Sequence, residues 1–504
     1  MPNDTVFNPS TAINRRTVLK GLAATLAMAN APGSLALGQA GTAPSTDITW
    51  LPAWRIAELI NAGTVSAEEV TGHFLSRIAT LEPVLHAFDV LDGDNALQQA
   101  RAADQRRSAG ESRGPLHGVP IAVKRGIAVK GLILHRDTET GEEIIASHDD
   151  ILVERLRAAG AIIVGLTENP GMGISPIRPN QSFSSLESHP RNPWDPQRVP
   201  GSSSAGSAAA VAAAMLPLTI GTDGGGSTRL PAAISGVIGV HFTAGRVPFA
   251  NYDRPRVPFM VTRGPMTRDM RDAALVSQII AGHDGRDLLA LAEPAPDYLA
   301  AIEQSVSGMR LAWTDDFGYG SMYTTPQSAG IIAHVRTAAE GFRQLGASVE
   351  ATDEQWEDFF VSYLAMSHSY DGNKQVPKPS AEQLKNASES RARNWQRFDR
   401  LFARYDLLLS PCAPFTAYTV DEWHRAWNVE GDKYPHRTFA PTYTVNTHMF
   451  NLLGLPALSI PCGSIDGLPV GLQLVARRDR EAVLYQAAAA FLNAFPRTER
   501  PPVS

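Results

Sequence analysis

One stretch of the chain, from Arg198 to Ala233, combines glycine and serine clusters with long apolar runs; it reads RVPGSSSAGSAAAVAAAMLPLTIGTDGGGSTRLPAA. A flexible linker would not carry the apolar run AAAVAAAMLPLTI between two glycine clusters, because such a run has to be buried. A phosphate-binding loop is also disfavoured, since no Gly-Lys-Ser or Gly-Lys-Thr follows the glycines and no Gly-x-Gly-x-x-Gly follows a strand. The stretch therefore favours a serine site in two parts.

Ser203 is the first candidate residue in this stretch. It lies just before the predicted start of an alanine-rich helix, SAAAVAAAM, where backbone N–H groups and the helix dipole point towards it. Taken alone, this feature favours capping of the helix by Ser202, Ser203 or Ser204. The local sequence by itself therefore does not assign a reaction to Ser203.

Ser227 is the second candidate, and its setting is different. It follows three glycines, Gly224, Gly225 and Gly226, at the end of a predicted strand. Three glycines let the backbone turn sharply and expose consecutive N–H groups, and such groups hold an oxyanion beside a nucleophilic hydroxyl. A plain strand-to-helix turn is an equal alternative on the local sequence.

A nucleophilic serine needs a base, and Lys124 is the candidate. None of the 13 histidines lies in a recognisable triad motif, and His135 and His148 flank a polar stretch typical of a surface loop. Lys124 ends the apolar strand VPIAV, where an unpaired charge is costly. A useful base near neutral pH needs a lysine pKa near 7 instead of about 10.4, a difference of about 4 kcal/mol, and burial can provide it. A lysine that extends from the strand end to solvent is the alternative.

Predicted helices and strands alternate along the chain. SAEEVTGHFLSRIATLEPV has helical spacing after Ser66, GVPIAVKRG reads as a buried strand, and ILVERLRAAGAIIVGLT reads as a helix followed by a strand. Such alternation indicates an α/β sheet covered by helices on both faces. Two segments, 353–395 and 420–441, show no clear period and are predicted as irregular lids.

Taken together, these segments resemble the amidase signature family. The resemblance is carried by Lys124 in GVPIAVK, Ser203 in PGSSSAGSAAAVAA and Ser227 in GTDGGGSTRLPAA. The resemblance also includes the segments RNPWDPQRVPGSS, TRGPMTRDMRDAAL and NLLGLPALSIPCGSIDGLPVGLQLVA. It therefore spans roughly residues 50–490. The motif from Pro200 to Pro231 is long, and it separates the two serines by the same number of residues as in the family.

The resemblance implies a fold and a catalytic set. The fold is a single α/β domain, residues 49–504, with a large mixed, twisted β-sheet covered by helices on both faces. In the Ser–cis-Ser–Lys set of the family, Ser227 is the nucleophile, Ser203 relays the proton after a cis peptide bond, and Lys124 is the base. The resemblance implies no metal and no cofactor.

The resemblance also implies where the substrate lies. Backbone N–H groups of Gly224, Gly225 and Gly226 hold the oxyanion, and Met172 in NPGMGIS matches a loop that lines the site. Trp423, Trp427 and Tyr434 lie in a candidate substrate loop, with simple aromatic packing as the alternative. The family often has an acidic residue after the lysine, and here Arg125 stands there, so the shape of the pocket and the substrate are left open.

The first 40 residues resemble a twin-arginine export signal, with Arg15 and Arg16 before a weakly apolar stretch and a small-x-small site at Gly38-Gln39-Ala40. Residues 41–48 are predicted as a linker. The sequence therefore predicts a periplasmic protein that is exported in the folded state.

Composition limits the partners. The formal net charge is -6 and no block of basic residues appears, so nucleic acid is not expected as a partner. No run of 18 apolar residues appears, so no membrane span is expected. Cys412 and Cys462 lie in apolar segments that favour buried, inert thiols; a disulfide is left open, and two cysteines make no zinc site.

The sequence predicts an exported amidase that hydrolyses a small-molecule carboxylic amide through a Ser227 acyl-enzyme, with aryl esters and carbamates as close variants. An amidotransferase-type A subunit that modifies aminoacyl-tRNA shares the motif, but an exported, acidic protein would not meet tRNA. A catalytically inactive periplasmic binding protein on the same fold is the third interpretation. The acyl and amine parts of the substrate and the oligomeric state are left open, a homodimer included.

Overall fold

The structure, a computed structural model, describes residues 47–111, 114–136, 142–170, 188–249, 259–323, 325, 327–370, 378–427 and 443–504. The predicted signal peptide, residues 1–40, lies outside the described residues, as does all but the end of the predicted linker 41–48. The export signal therefore stays a prediction.

The described strands are β1 (Phe88–Leu91), β2 (Pro120–Lys124), β3 (Ile133–Arg136), β4 (Glu143–Ile145), β5 (Ile162–Thr167), β6 (Leu218–Asp223), β7 (Ile238–His241), β8 (Thr262–Thr267), β9 (Arg310–Trp313), β10 (Ser348–Ala351), β11 (Leu407–Pro411), β12 (Ala457–Ile465) and β13 (Leu468–Ala476).

The described α-helices are α1 (Ala53–Asn61), α2 (Ala67–Leu85), α3 (Gly93–Ser108), α4 (Ile151–Ala158), α5 (Ala205–Ala212), α6 (Arg229–Ser235), α7 (Met270–Ile280), α8 (Tyr298–Ala301), α9 (Ser328–Ala339), α10 (Gly341–Gln344), α11 (Phe360–Tyr370), α12 (Ala381–Phe402), α13 (Val420–Trp427), α14 (His448–Leu453) and α15 (Glu481–Ala494). A short 3₁₀ helix covers Gly320–Tyr323. Among the described helices, none is long and apolar enough to cross a membrane.

Eleven strands form one sheet in the order β1-β5-β2-β6-β8-β7-β12-β13-β11-β9-β10, while β3 and β4 form a separate pair. The pairs β5–β2, β2–β6, β11–β9 and β9–β10 are parallel, and the other neighbours in the large sheet are antiparallel. The sheet is therefore mixed and is flanked by helices, so the predicted single α/β domain is confirmed. Every residue of β2 and β5 is buried, which explains why both strands read as continuous apolar runs instead of alternating patterns.

Local sequence accounts for several element boundaries. Helix α2 begins after Ser66, whose Oγ accepts from the Glu69 N–H at 3.0 Å while the Ser66 N–H donates to Glu69 Oε2 at 2.8 Å. This reciprocal capping box satisfies two of the N–H groups that a helix start leaves without a partner. The predicted helix after Ser66 is confirmed by these contacts.

The prediction that 353–395 is irregular is wrong, because the structure has helix α11 and most of helix α12 there, while its role as a lid stays a prediction. Ser380 and Gln383 form a capping box at the start of α12. The buried face of α12 repeats at helical spacing through Ala387, Ser390, Asn394, Phe398 and Leu401. Two of these five residues are polar, which hid the period in a hydropathy pattern.

The second predicted lid, 420–441, begins with helix α13, and residues 428–442 lie outside the described part. Trp423 is buried against the rings of Tyr443, Tyr418 and His189, so aromatic packing accounts for it. The side chain of Trp427 lies outside the described residues, as does Tyr434.

The two cysteines are free thiols. Burial raises the pKa of both Cys412 and Cys462 to about 12, which keeps each thiol protonated at neutral pH. Cys412 is therefore the buried, inert thiol that its apolar segment favours, Cys462 is partly exposed, and the two form no disulfide.

Candidate active site

Two parallel strands, β2 and β6, carry side chains to one edge of the sheet. They are neighbours, with Val123 opposite Ile220, and because they run in the same direction their carboxyl ends meet. Lys124 is the last residue of β2, and Thr222 is the next-to-last residue of β6. Lys124 Nζ donates to Thr222 Oγ1 at 2.8 Å. The topology of the sheet therefore sets the position of the lysine.

Lys124 Nζ also donates to Ser203 Oγ at 2.6 Å. The peptide bond between Ser202 and Ser203 is cis, as the resemblance implies. Tyr443 holds the backbone of Ser202. Its Oη accepts from the Ser202 N–H at 2.6 Å and donates to the Ser202 carbonyl at 3.0 Å. The structure thus brings two of the three predicted catalytic side chains into direct contact.

Helix capping does not account for the serine cluster. Helix α5 begins at Ala205, and its N-cap residue, Ser204, makes no side-chain hydrogen bond to the first turn. The Ser204 Oγ instead donates to the Thr222 carbonyl at 3.2 Å. Ser204 therefore fixes the loop to strand β6, while the Ser203 hydroxyl points to Lys124.

The environment of Lys124 changes its acid strength. The side chain is almost wholly buried, and its hydrogen bonds within the described part of the chain go to two hydroxyl groups. Burial lowers the pKa of Lys124 from 10.5 to about 7; the charge of Asp223 opposes this change and that of Arg125 adds to it. An amine with this pKa is substantially neutral at physiological pH and can accept a proton.

Ser227 lies in the turn between strand β6 and helix α6. The Ser204 N–H donates to the Ser227 carbonyl at 3.2 Å, so the two serine segments run side by side. Ser227 is 6% exposed, whereas Ser203, Thr222 and Gly224 are partly exposed. The site is therefore a mostly buried group of side chains with a small opening to solvent.

The glycine turn before Ser227 has no room for side chains at two of its three positions. A Cβ on Gly225 would lie 2.6 Å from Tyr363 Oη, and a Cβ on Gly226 would lie 2.2 Å from Thr447 Oγ1. Gly226 also has a φ of 120°, which L side chains rarely adopt. Close packing against the helices above the turn thus explains why glycine is needed there.

The hydrogen bonds of the turn correct one sequence prediction. The Gly226 N–H donates to Asp223 Oδ1 at 2.7 Å, so this group is already directed to a carboxylate. An N–H bound in this way is a poor donor to an oxyanion. The predicted oxyanion role is therefore withdrawn for Gly226 and kept, as a proposal, for Gly224 and Gly225.

A buried ion pair between Arg229 and Asp223 stabilises the glycine turn. Arg229 Nε and Nη2 donate to the two carboxylate oxygens of Asp223 at 2.9 and 3.1 Å, and both side chains are fully buried. Arg229 also donates to Asn451 Oδ1 at 2.6 Å and to Gln473 Oε1 at 2.8 Å. Burial alone would raise the pKa of Asp223, but the Arg229 charge outweighs it and holds this pKa far below its ordinary range.

Sequence reasoning missed these supporting residues. Asp223 and Arg229 flank the glycine-serine motif, and an acid and a base six residues apart in an otherwise uncharged segment are a usable signal. Asn451, Gln473 and Tyr363 come from elements far along the chain, and nothing in the local sequence connects them to the motif. Met172, predicted to line the site, lies outside the described residues.

Comparison with known proteins shows the family. The amidase family model matches residues 69–378 and 365–484. The chain is 34% identical to the A subunit of the glutamyl-tRNA(Gln) amidotransferase of Symbiobacterium thermophilum, over 88% of this chain and 96% of that protein.

Solved structures show the same fold. A bacterial aryl acylamidase of the amidase signature family superposes with a TM-score of 0.77 at 26% identity, covering 90% of this chain and 98% of that one. A 6-aminohexanoate cyclic dimer hydrolase superposes with a TM-score of 0.76 at 26% identity, covering 91% and 100%.

The mixed sheet and these similarities define the class as α/β proteins with the amidase signature fold. Within that class, the chain belongs to the amidase family, a family of enzymes that hydrolyse amide C–N bonds.

Proposed function

We propose that the protein is an amidase that hydrolyses a carboxylic amide through an acyl-enzyme on Ser227. The observation that carries the proposal is the 2.6 Å contact between Lys124 Nζ and Ser203 Oγ, made by a lysine whose pKa is about 7. A buried, neutral amine bound to a serine is suited to draw a proton from a hydroxyl nucleophile.

The reaction begins with a proton relay. Neutral Lys124 keeps an N–H for Thr222 Oγ1 and uses its lone pair to accept the proton of Ser203 Oγ. Ser203 in turn takes the proton of Ser227, whose Oγ forms a bond to the amide carbonyl carbon. The carbonyl π electrons move to the oxygen, and the N–H groups of Gly224 and Gly225 stabilise the resulting oxyanion.

The second half reverses the relay. The tetrahedral intermediate collapses, its C–N bond breaks, and the proton held by Lys124 returns through Ser203 to the departing amine. Water then attacks the ester on Ser227 with the same base, and the carboxylic acid leaves. This chain supplies the nucleophile, the base and the oxyanion donors.

A fluorophosphonate probe tests this proposal. The probe is incubated with purified wild-type protein, and the adduct is located by mass spectrometry. Labelling at Ser227 is expected, abolished by Ser227→Ala and slowed by Lys124→Ala. The control is Ser277→Ala, which removes a buried serine hydroxyl bound to Tyr485, remote in sequence from the site, and should label normally. Absence of labelling in folded wild-type protein would contradict the proposal and favour the inactive binding protein.

The substrate screen follows from the similarities. The structural resemblance to an aryl acylamidase supports anilides as the first amides to test, with carbamates and aryl esters as variants of the same acyl transfer. Amine release is measured for each substrate with Ser227→Ala as the blank.

A second candidate function is that of an amidotransferase A subunit. It is favoured by a specific observation, the 34% identity with such a protein over 96% of its length, and the sequence relatives support it more directly than they support a free-standing amidase. Ammonia release from glutamine, compared with amine release from an anilide, separates the two. Preference for glutamine and co-purification with further subunits would establish the second candidate.

Export is proposed from the N-terminal sequence and bears on the same choice. The paired Arg15 and Arg16 of a twin-arginine-type signal support it. The test is the N-terminal sequence of protein recovered from the periplasmic fraction, with Arg15→Lys/Arg16→Lys as the export-deficient variant. An uncleaved protein that stays in the cytoplasm would contradict export and remove the objection to a tRNA-linked role.

A further inference from the structure

Three successive carbonyls of the turn at 223–225 each accept a hydrogen bond from a different side chain. Asn451 Nδ2 donates to the first at 2.9 Å, Tyr363 Oη to the second at 2.9 Å, and Thr447 Oγ1 to the third at 2.7 Å. These donors come from helices α11 and α14 and from the residue that precedes α14. These side chains thus hold the three peptide groups between Asp223 and Gly226 by their oxygens, while the Gly226 carbonyl itself accepts from the Leu230 N–H at 2.7 Å.

Because the peptide bond is planar, the side chains that hold these carbonyls also fix the direction of the N–H groups. In a trans peptide the C=O of one residue and the N–H of the next point in opposite directions, so a side chain that fixes the carbonyl also fixes that N–H. Asn451 therefore fixes the direction of the Gly224 N–H, and Tyr363 fixes the direction of the Gly225 N–H. Thr447 sets the Gly226 N–H, which is directed to Asp223.

Tyr363 is the donor with a single evident task. Its side chain is buried, with the ring against His448 and Phe360 at centroid distances of 5.4 and 6.5 Å. Its hydroxyl lies so close to the turn that it would collide with a Cβ on Gly225. Asn451, by contrast, also binds Arg229 and the Asp223 carboxylate, so its loss would disturb the ion pair.

We propose that Tyr363 is a positioning residue: its hydroxyl holds the Gly224 carbonyl away from the substrate and thereby directs the Gly225 N–H to the developing oxyanion. The inference rests on the proposed function, because an oxyanion forms only if Ser227 attacks a carbonyl. Without the hydroxyl, the peptide between two glycines is free to rotate, since neither residue has a Cβ to restrict it. Rotation would point a carbonyl at the oxyanion instead of an N–H.

The test is the kinetics of Tyr363→Phe, which keeps the ring and removes the donor. Loss of one oxyanion donor typically lowers kcat by a factor of about 100–1,000, and a donor that is misdirected part of the time should cost about 10–100. KM should change by less than about threefold, because the donor acts on the transition state. The affinity for a trifluoromethyl ketone analogue of the substrate should fall in proportion to kcat/KM.

Two controls separate positioning from general damage. Tyr485→Phe removes another buried tyrosine hydroxyl, bonded to Ser277, and should leave kcat unchanged. Thermal unfolding is measured for both variants, and kinetics are recorded at least about 10 °C below the lower Tm, so that loss of folded protein does not enter. The pH midpoint of kcat/KM should stay that of the wild type, because Tyr363 does not touch Lys124.

The outcomes are distinguishable from failure of the proposed function. If wild-type Ser227 is not labelled by fluorophosphonate, the proposed function and this inference fail together. If wild type is labelled and active but Tyr363→Phe keeps kcat within about twofold, only the positioning role is overturned. A fall in kcat with equal loss of ground-state binding, or with a shifted pH midpoint, would also overturn it.

Discussion

Two buried cations lie near the same end of strand β6, and their surroundings differ. Arg229 faces the carboxylate of Asp223 through two hydrogen bonds of 2.9 and 3.1 Å. Lys124 faces the hydroxyls of Ser203 and Thr222. Each is almost wholly removed from solvent, so burial alone does not distinguish them.

The difference lies in the counter-charge. Desolvation disfavours a charged side chain, and only a close opposite charge offsets that cost. The charge of Arg229 therefore keeps Asp223 ionised, and the ion pair serves as a fixed support for the glycine turn. Among the described residues none gives Lys124 such a close counter-charge, and its pKa falls to about 7, which suits it to the proposed role of base. The cost of desolvation is thus offset by the ion pair at Arg229, whereas at Lys124 it lowers the pKa of the amine.

The largest expected effect comes from Lys124→Met, which replaces the base with an apolar side chain of similar length. We expect kcat/KM to fall about 1,000-fold or more, because general-base catalysis is lost. The free energy of unfolding should stay the same or rise, since an uncompensated buried amine is removed. Lys124→Arg should be equally inactive because an arginine is not deprotonated in proteins.

Kinetics and urea unfolding of both variants check this, with exposed Lys385→Met as the control. Activity retained within about tenfold would show that Lys124 is not the base.

Arg229→Met tests the buried ion pair. Removing one partner of a buried ion pair leaves an uncompensated charge on Asp223, so we expect a loss of about 3–5 kcal/mol in the free energy of unfolding. The matched control is Arg286→Met, whose ion pairs with Glu154 and Asp284 are partly exposed and should be worth at most about 1 kcal/mol. Equal stability losses for the two variants, measured by urea unfolding, would contradict the account.

Arg125→Gln is expected to have a small effect on the pH profile. The positive charge of Arg125 lowers the pKa of Lys124, so its removal should raise that pKa and move the acid limb of kcat/KM to higher pH. The shift should be a few tenths of a pH unit, because Arg125 is paired with Glu168 at 2.9 Å and partly exposed. The pH profile beside that of the remote variant Arg101→Gln checks it, and a shift to lower pH would have the wrong sign.

The candidate catalytic side chains and the residues that support the turn differ in how far the sequence predicts them. Lys124, Ser203 and Ser227 are candidates from local patterns, namely a strand end, a helix start and a glycine run, and the resemblance to the amidase signature family joins them into one predicted catalytic set. The supports cannot, because Tyr363, Asn451 and Gln473 reach the turn only through the fold. The first half of helix α12 is harder to predict from hydropathy because a polar residue, Ser390, lies on its buried face, where its hydroxyl donates to Glu357 Oε2 at 3.0 Å.

We propose that burial, with no close counter-charge among the described residues, makes Lys124 the base for Ser227. The pH dependence of fluorophosphonate labelling at Ser227 tests it most directly, because labelling reports the nucleophile without product release or substrate titration. We expect the labelling rate to rise with pH, with a midpoint near 7 where Lys124 loses its proton, and to reach a plateau above it. In Lys124→Met this rise should be absent. A midpoint near that of an ordinary lysine, or the same rise in Lys124→Met, would contradict the account.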